Sequence, residues 1–477
     1  MKNENNILKR NFRYLEKLEK LIIKESNLED KFKLIDIYAN FAANNPSGTL
    51  HSPKLEYHLL DFAESIPFQP SNKNKNKRLI VMSEAYESGG HTRVVEHIIN
   101  YSENNSYDLL FTWNRLNVPN SLLEICKNKE CSIMFLSEGK VLEKAKQLRD
   151  IASEYNKIIL FNHPEDYLPV LAFGHSKWDI PIFLYNHAEH RFWFGISIVD
   201  VVLDLSSRAK TNSIKYRKVP KSEVVGIPIA LSEKDDRINN IIRQQLNIDK
   251  NAIVFFSGGS PYKYEPIEEL DFRNVVDVIL SSIDNSYFVI IGIHPESNKW
   301  SKLKAKFQNR LTLIDVLEYR KYLEYLNIPD IYVDSMPTSG FTVLLENAMR
   351  KIPIIFIDTH ISYPNCILKE AIPITDKNDI YDKILEKAIE IINNGFKQEL
   401  NLEECNINIS NFLNTYNNIL NENITHNRNL NVKRVVDFSE DSFIRYVLKY
   451  FYKDRTDPSL SSIGLLLAKR FWKNSRE

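Results

Sequence analysis

Between residues 79 and 357, short apolar runs alternate with helix-length amphipathic stretches, and the alternation occurs twice. The first series predicts strands at 79–83, 108–112, 132–136, 157–161, 181–186 and 199–205, closed by a run at 223–227 before Pro228. Helical segments such as 93–101 and 140–152 separate most of them. A charged helix at 233–246 opens the second series, whose strands fall at 252–256, 287–293, 311–315, 331–334 and 352–357. Helices at 298–307 and 317–326 lie between these. Such alternation implies parallel sheets covered on both faces. Two series in tandem predict two doubly wound domains, with ligands beyond the carboxyl ends of the strands in the cleft between them.

A chain of 477 residues is too long for one ordinary core, which agrees with two domains plus additions. At the front, Leu8, Phe12, Leu15, Leu18 and Ile22, then Phe32, Ile35, Ala39 and Ala42, fall at helical spacing, and a third helix is predicted at 55–66. A polar, Asn- and Lys-rich connector at 71–77 ends this piece. The expected division is therefore a helical extension at 1–75, domains at 76–230 and 231–400, and C-terminal helices at 401–477. Phe443, Val447 and Phe451 form one C-terminal stripe, and Ile463, Leu467 and Phe471 a second, both flanked by Lys and Arg. They either pack back on the domains or touch an anionic membrane surface.

Lys plus Arg and Asp plus Glu both number 62, a neutral balance that argues against a nucleic-acid partner. Cys126, Cys131, Cys366 and Cys405 show no C-x-x-C spacing and no zinc-like His cluster, so a reduced compartment is expected. Residues 1–6 lack the apolar core of a signal peptide. No apolar stretch approaches the ~20 residues that span a bilayer. The expectation is a soluble, cytoplasmic protein, at most associated with the inner membrane face.

The richest motif is Asp334-Ser335-Met336-Pro337-Thr338-Ser339-Gly340-Phe341-Thr342, which runs from a predicted strand into a helix carrying Glu346. A helix N-terminus after a small-residue turn presents free N–H groups and a dipole to an anion. Glu346, further along that helix, is placed to take a ribose hydroxyl pair. The first strand of the second series ends in Ser257-Gly258-Gly259-Ser260-Pro261-Tyr262-Lys263. There Lys263 is either a phosphate ligand or a surface lysine; the Walker spacing is absent.

The first series offers Gly89, Gly90, His91 and Arg93 after its first strand, a binding loop or a plain tight turn that lacks the dinucleotide spacing. Past the strand at 181–186 stands Asn186-His187-Ala188-Glu189-His190-Arg191-Phe192-Trp193. His187 or Glu189 suits proton exchange with an acceptor hydroxyl. Phe192 and Trp193 are candidates to stack on a sugar ring or to pack in the core. The pair His187 and His190 has no third ligand nearby and no H-E-x-x-H order, so no metal is expected. His294, residues 315–317 (where a nucleobase would lie) and residues 162–166 complete the rim.

In this order the pieces resemble the two-domain GT-B glycosyltransferases, with the nearest likeness to the bacterial family-four glycosyl transferases over roughly 79–393. Gly89, Gly90 and Arg93 match that family's Gly-Gly loop, His187 its cleft histidine, Lys263 its basic residue and Glu346 the second of its acidic pair. The first acid is missing, since Ser339 precedes Gly340-Phe341. In this respect the turn is similar to protein O-glycosyltransferases that hold a diphosphate with Ser and Thr. The two groups differ in stereochemistry, which stays open.

The resemblance implies a metal-independent transferase without a cofactor that moves a sugar from a nucleotide donor, by default a UDP-sugar. The acceptor would be a glycan, a lipid-linked glycan or a protein. Together with the reading of the residues, it gives an expected donor site at Gly258, Gly259, Lys263, Ser339, Gly340, Phe341, Thr342 and Glu346. His187, Glu189 and Lys263 would do the chemistry, and Gly89, Gly90, His91, Arg93, His190 and Trp193 would face the acceptor. A sugar-nucleotide epimerase, or an inert sugar-nucleotide or glycan-binding partner of a transferase, is the alternative.

Overall fold

The computed structural model describes residues 2–69, 77–87, 90–113, 118–230, 233–267, 269–358, 372–373, 379–395, 406–426, 432–439 and 443–451. Its first sheet contains β1 (Arg78–Met82), β2 (Tyr107–Phe111), β3 (Ile133–Phe135), β4 (Ile158–Phe161), β5 (Ile182–Asn186), β6 (Val201–Asp204) and β7 (Ser222–Val224). The spatial order is β3-β2-β1-β4-β5-β6-β7, parallel throughout. The second contains β8 (Ile253–Gly258), β9 (Ser286–Ile291), β10 (Leu311–Ile314), β11 (Ile331–Val333) and β12 (Ile354–Ile355), in the parallel order β10-β9-β8-β11-β12. Each predicted run carries one of these strands.

The strands form here because both faces of each sheet find apolar cover. Successive side chains of a strand point to opposite faces. Leu79 and Val81 of β1 accordingly pack with Leu148 and Phe173, whereas Ile80 and Met82 pack with Val94 and Ile98 of the helix Gly90–Tyr101. In β8, Phe255 joins Val275 and Ile279 on one side, and Val254 and Phe256 join Leu344 and Leu345 on the other. The strand order turns back between β1 and β4 and again between β8 and β11. Loops diverge at such points and leave a crevice for a ligand.

The three expected front helices are Lys2–Lys24, Leu28–Asn44 and Pro53–Ser65, the last capped by Ser52 with Pro53 in its first turn. Arg149, fully buried, binds this extension to the first domain. Its guanidinium donates to the carbonyls of Ala63 (2.8 Å), Ile66 (2.8 Å), Leu171 (3.0 Å) and Ala172 (2.6 Å). A cation at two helix C-termini satisfies carbonyls that have no helical partner.

From the other end of the chain, the helix Ile409–Asn421 returns to the first domain. There Arg78 donates to Asn417 at 2.6 Å and to Asn421 at 3.0 Å. In the helix Phe443–Phe451, Ile444, Val447 and Leu448 bury themselves with Leu8 and Tyr216. Val447 of the first C-terminal stripe is thus turned inward, and Phe443 packs partly buried against the same cluster. Residues 463–471 lie outside the described residues. Among the described residues no helix is long and apolar enough to cross a membrane.

Candidate functional site

The carboxyl ends of the two sheets meet around two adjoining cavities that share Gly90, Lys263 and Thr342. The first, of about 220 Å³, is bounded by Gly258, Gly259, Gly292, Tyr319, Tyr322, Val343 and Glu346, with Gly90 and Arg93 reaching in from the first domain. Its floor needs backbone in close approach. Gly292 has φ +105°, and any Cβ there would run into the carbonyl of Gly259. A Cβ on Gly340 would stand 2.7 Å from the carbonyl oxygen of Gly258. Glycine at these positions lets the ends of β8, β9 and the turn after β11 converge.

Glu346 is only 6% exposed. Tyr322 donates its hydroxyl to Oε2 at 2.7 Å, and Tyr319 donates to Oε1 at 3.3 Å. Burial raises the carboxyl above its ordinary range, while the Tyr322 hydrogen bond and the Arg93 and Arg350 charges work against that rise. The Arg93 guanidinium in turn lies over the Tyr319 ring. Val316 and Leu317 line this cavity, at the place expected for a nucleobase. His294 lines neither cavity and stands exposed, 3.8 Å from Asp315.

The turn after β11 differs in detail from the expectation. Asp334, at the strand end, accepts the Gly340 N–H at 2.8 Å and the Tyr332 hydroxyl at 3.0 Å through Oδ1, and the Ser339 hydroxyl through Oδ2. The expected anion site at Ser339 and Gly340 is thereby corrected: that hydroxyl and that N–H already serve a buried carboxylate of the chain. Burial raises Asp334, and the Ser339 and Gly340 hydrogen bonds oppose the rise. Lys263 is drawn in as well, donating to the Ser339 carbonyl at 3.0 Å. For a ligand there remain the first-turn N–H groups of the helix Phe341–Met349 at Thr342 and Val343, which helical geometry leaves without an intrahelical acceptor. Phe341 lines the second cavity.

The second cavity, of about 310 Å³, brings His91, His187, His190 and Tyr262 together with Lys263, Ser339 and Thr342. The His91 and His187 rings stack with centroids 4.9 Å apart, and His163 meets His91 edge-on at 5.6 Å. The N–H at Nε2 of His91 donates to the Glu84 carbonyl at 3.3 Å. Burial and the neighbouring His163 hold His91 down at about 4. Burial, then His91 and His163, hold His187 well below its usual range, and burial with Arg191, Arg217 and Lys263 brings His190 to about 3. At neutral pH these imidazoles are uncharged.

The segment after β5 is fixed from the N-terminal extension. Glu56, buried, accepts the backbone N–H groups of Gly195 (2.9 Å), Ile196 (3.3 Å) and Ser197 (2.8 Å). This anchoring takes two expected residues out of the cleft. Trp193 is 4% exposed with Arg217 4.9 Å from its ring centroid, and Phe192 packs edge-on against Tyr38. Glu189 is 2% exposed. None of the three lines either cavity, which corrects their expected contact with acceptor or sugar. Arg93, expected on the acceptor side, instead lines the cavity of Glu346. Gly89 lies outside the described residues. Among the described residues no cluster of His, Cys, Asp or Glu is arranged to hold a metal ion.

Tyr319 and Tyr322 escaped the sequence reading, while Asp334, at the head of the quoted motif, and His163, within the rim at 162–166, were named without the roles found here. An acid at a strand end directly before a small-residue turn was a signal for Asp334. The tyrosines sit at i and i+3 on one helix face, a spacing that was visible without a known target.

No protein-family model and no curated protein matches the chain. Solved structures do. A glycosyltransferase from Rickettsia africae ESF-5 superposes on 72% of this chain and 98% of its own, with TM-score 0.52 and 13% identity. The lipopolysaccharide outer core galactosyltransferase WaaB, in its apo form, matches 72% of this chain and 98% of its own, with TM-score 0.50 and 15% identity. The fold is GT-B. HepE from Anabaena, in complex with UDP-glucose, matches 72% and 95% of the two chains at TM-score 0.48 and 10% identity. In this GT-B chain the two cavities occupy the cleft between the Rossmann-like halves, with the helical extension fastened to the first half.

Proposed function

We propose that this protein is a glycosyltransferase that moves a sugar from a nucleotide-diphosphate donor, by default a UDP-sugar, to a glycan, lipid-linked or protein acceptor. The observation that carries the reading is the cavity in which Glu346, held by Tyr319 and Tyr322, faces Lys263, Arg93 and a helix N-terminus. A buried, oriented carboxylate accepts two vicinal hydroxyls, as on a ribose. A cation and a helix N-terminus favour a diphosphate. The GT-B fold, shared with the Rickettsia glycosyltransferase and WaaB, is in keeping with this use of the cleft.

In the proposed reaction the base lies along Val316 and Leu317, the ribose on Glu346 and the diphosphate near Thr342, Lys263 and Arg93. The sugar then stands where the two cavities join. As its bond to the diphosphate breaks, negative charge grows on the leaving oxygen. Lys263 and the N–H groups at Thr342 and Val343 are preorganised to meet that charge, and no divalent ion is needed in this scheme. His187 faces the acceptor cavity as a neutral imidazole. It hydrogen-bonds the attacking hydroxyl and takes its proton as that oxygen bonds to the anomeric carbon and the diphosphate leaves with the bonding pair.

Calorimetric titration with UDP, GDP and ADP, with and without magnesium, followed by UDP-sugars, tests the reading. Saturable binding of one nucleotide, indifferent to magnesium and weakened by Glu346→Ala, supports it. No binding by any nucleotide would sink it. His187→Ala is expected to reduce turnover more than donor affinity.

A further inference from the structure

We infer that the acceptor carries an anionic group, a phosphate or a carboxylate, and that the second cavity receives it. The inference rests on the transferase reading and adds the chemical class of the acceptor.

The observation is a contrast between adjoining cavities. The donor-side cavity balances Lys263 and Arg93 with Glu87 and Glu346. The acceptor-side cavity is lined by His91, His187, His190 and Lys263, and among the described residues by no Asp or Glu. Its other polar side chains are hydroxyls, which donate as readily as they accept. A neutral hydroxyl acceptor needs one base and some hydrogen-bond partners. It gives no reason to gather three imidazoles and an ammonium while keeping carboxylates out.

The acids of the neighbourhood are used elsewhere. Glu84 accepts the Tyr86 hydroxyl and faces His163 at 3.9 Å. Asp166 takes hydrogen bonds from Ser83 (2.7 Å) and Asn162 (2.8 Å), and Glu189 lines neither cavity. Glu165 acts on His163, and Arg191 and Arg217 add positive charge beside His190. Nδ1 of His187 is buried without a hydrogen-bond partner of good geometry. The single N–H of neutral His91 is spent on the Glu84 carbonyl, and Asp334 takes the Ser339 hydroxyl. An anion in this cavity would add negative charge beside Lys263, Arg191 and Arg217 and favour the protonated rings, whose second N–H can then reach it. Tyr262, 56% exposed at the rim, offers a face on which the sugar bearing that anion can lie.

The test uses the full chain saturated with UDP, so that the donor site is filled. It is titrated calorimetrically with glucose, glucose 6-phosphate, glucuronate and inorganic phosphate. A charged sugar is expected to bind at least about tenfold tighter than glucose, the scale of one charge-assisted contact. His91→Gln and His190→Gln should each shrink that preference several-fold with UDP affinity retained, which certifies the fold. Glucose 6-phosphate against glucuronate tells phosphate from carboxylate. Equal binding of the three sugars, or a preference untouched by both variants, overturns the inference. So does inorganic phosphate binding as tightly as the charged sugars, which would mark a bare-ion site. A preference for UDP-glucuronate over UDP-glucose without discrimination among free sugars would place the charge on the donor and overturn it too. Failure of the transferase reading shows separately, as no UDP binding. The sugars are then compared on the free protein and decide in the same way.

Discussion

The guanidinium of Arg93 lies 2.9 Å from the ring centroid of Tyr319, whose hydroxyl donates to Glu346. Arg93 belongs to the helix Gly90–Tyr101 of the first domain, and Tyr319 to the second. A cation of one half is therefore coupled to the proposed ribose ligand of the other. A second cross-cleft pair, Arg320 with Glu124 at 2.8 Å, is mostly exposed, and such pairs contribute little. Arg93→Ala should weaken UDP binding by roughly ten- to a hundredfold, the scale of one or two charge-assisted contacts. Arg93→Lys should recover only part of this, because an ammonium does not stack as a planar guanidinium does. Calorimetry on the three proteins checks it, and unchanged affinity in Arg93→Ala would remove the residue from the donor site.

Tyr322 tests whether Glu346 must be oriented as well as present. Its hydroxyl holds Oε2 at 2.7 Å inside the fold. Tyr322→Phe keeps the packing and removes a hydrogen bond to a buried carboxylate, a contact worth about 1.5–3 kcal/mol. UDP affinity should fall while the loss in stability stays within about the same 1.5–3 kcal/mol. The carboxyl should also titrate at still higher pH, since a hydrogen bond that favours its charged form is gone. A pH series of UDP affinity for variant and wild type gives the direction.

Two glycines separate a folding role from a cleft role. Gly292→Ala places a methyl group against the Gly259 carbonyl at a positive φ, so a stability loss above about 2 kcal/mol is expected. At Gly90 a methyl group would meet only Thr342 Oγ1 at 3.6 Å, an ordinary contact. Gly90→Ala should fold normally and still impair donor binding or transfer, because Gly90 borders both cavities. Denaturant unfolding alongside nucleotide titration distinguishes the two.

The sheets were legible because their central strands are runs with apolar cover on both faces, as at Leu79 to Met82 and Val254 to Phe256. The turn before Glu346 was legible from its small residues. What escaped depends on spatial neighbours that no sequence spacing shows. β4 lies beside β1, so the loop after β4 brings His163 against His91 although 72 residues separate them. Glu56, on a remote helix, decides the course of the segment after Trp193. Asp334 takes the Gly340 N–H because the chain turns back on its own strand end. Local chemistry marked a site there, and only the fold shows which of its donors are already used.

Depressed histidines give the protein a signed response to acid. His97 donates from Nδ1 to the Pro228 carbonyl at 2.9 Å, and burial brings it to about 4. In the unfolded chain it titrates near 6.5. Between these values the unfolded state binds the extra proton, so stability falls as pH falls. The contribution is complete above pH 6.5 and is lost progressively toward pH 4. Glu346 and Asp334, raised by burial, act in the opposite sense: their contribution is complete below the ordinary carboxylate range and is lost as pH rises through their raised values. A comparison of variants isolates the histidine. Between pH 7 and pH 5, wild type should lose on the order of 2 kcal/mol more than His97→Gln in urea unfolding. Equal losses in both would mean that His97 protonates as easily in the fold as outside it.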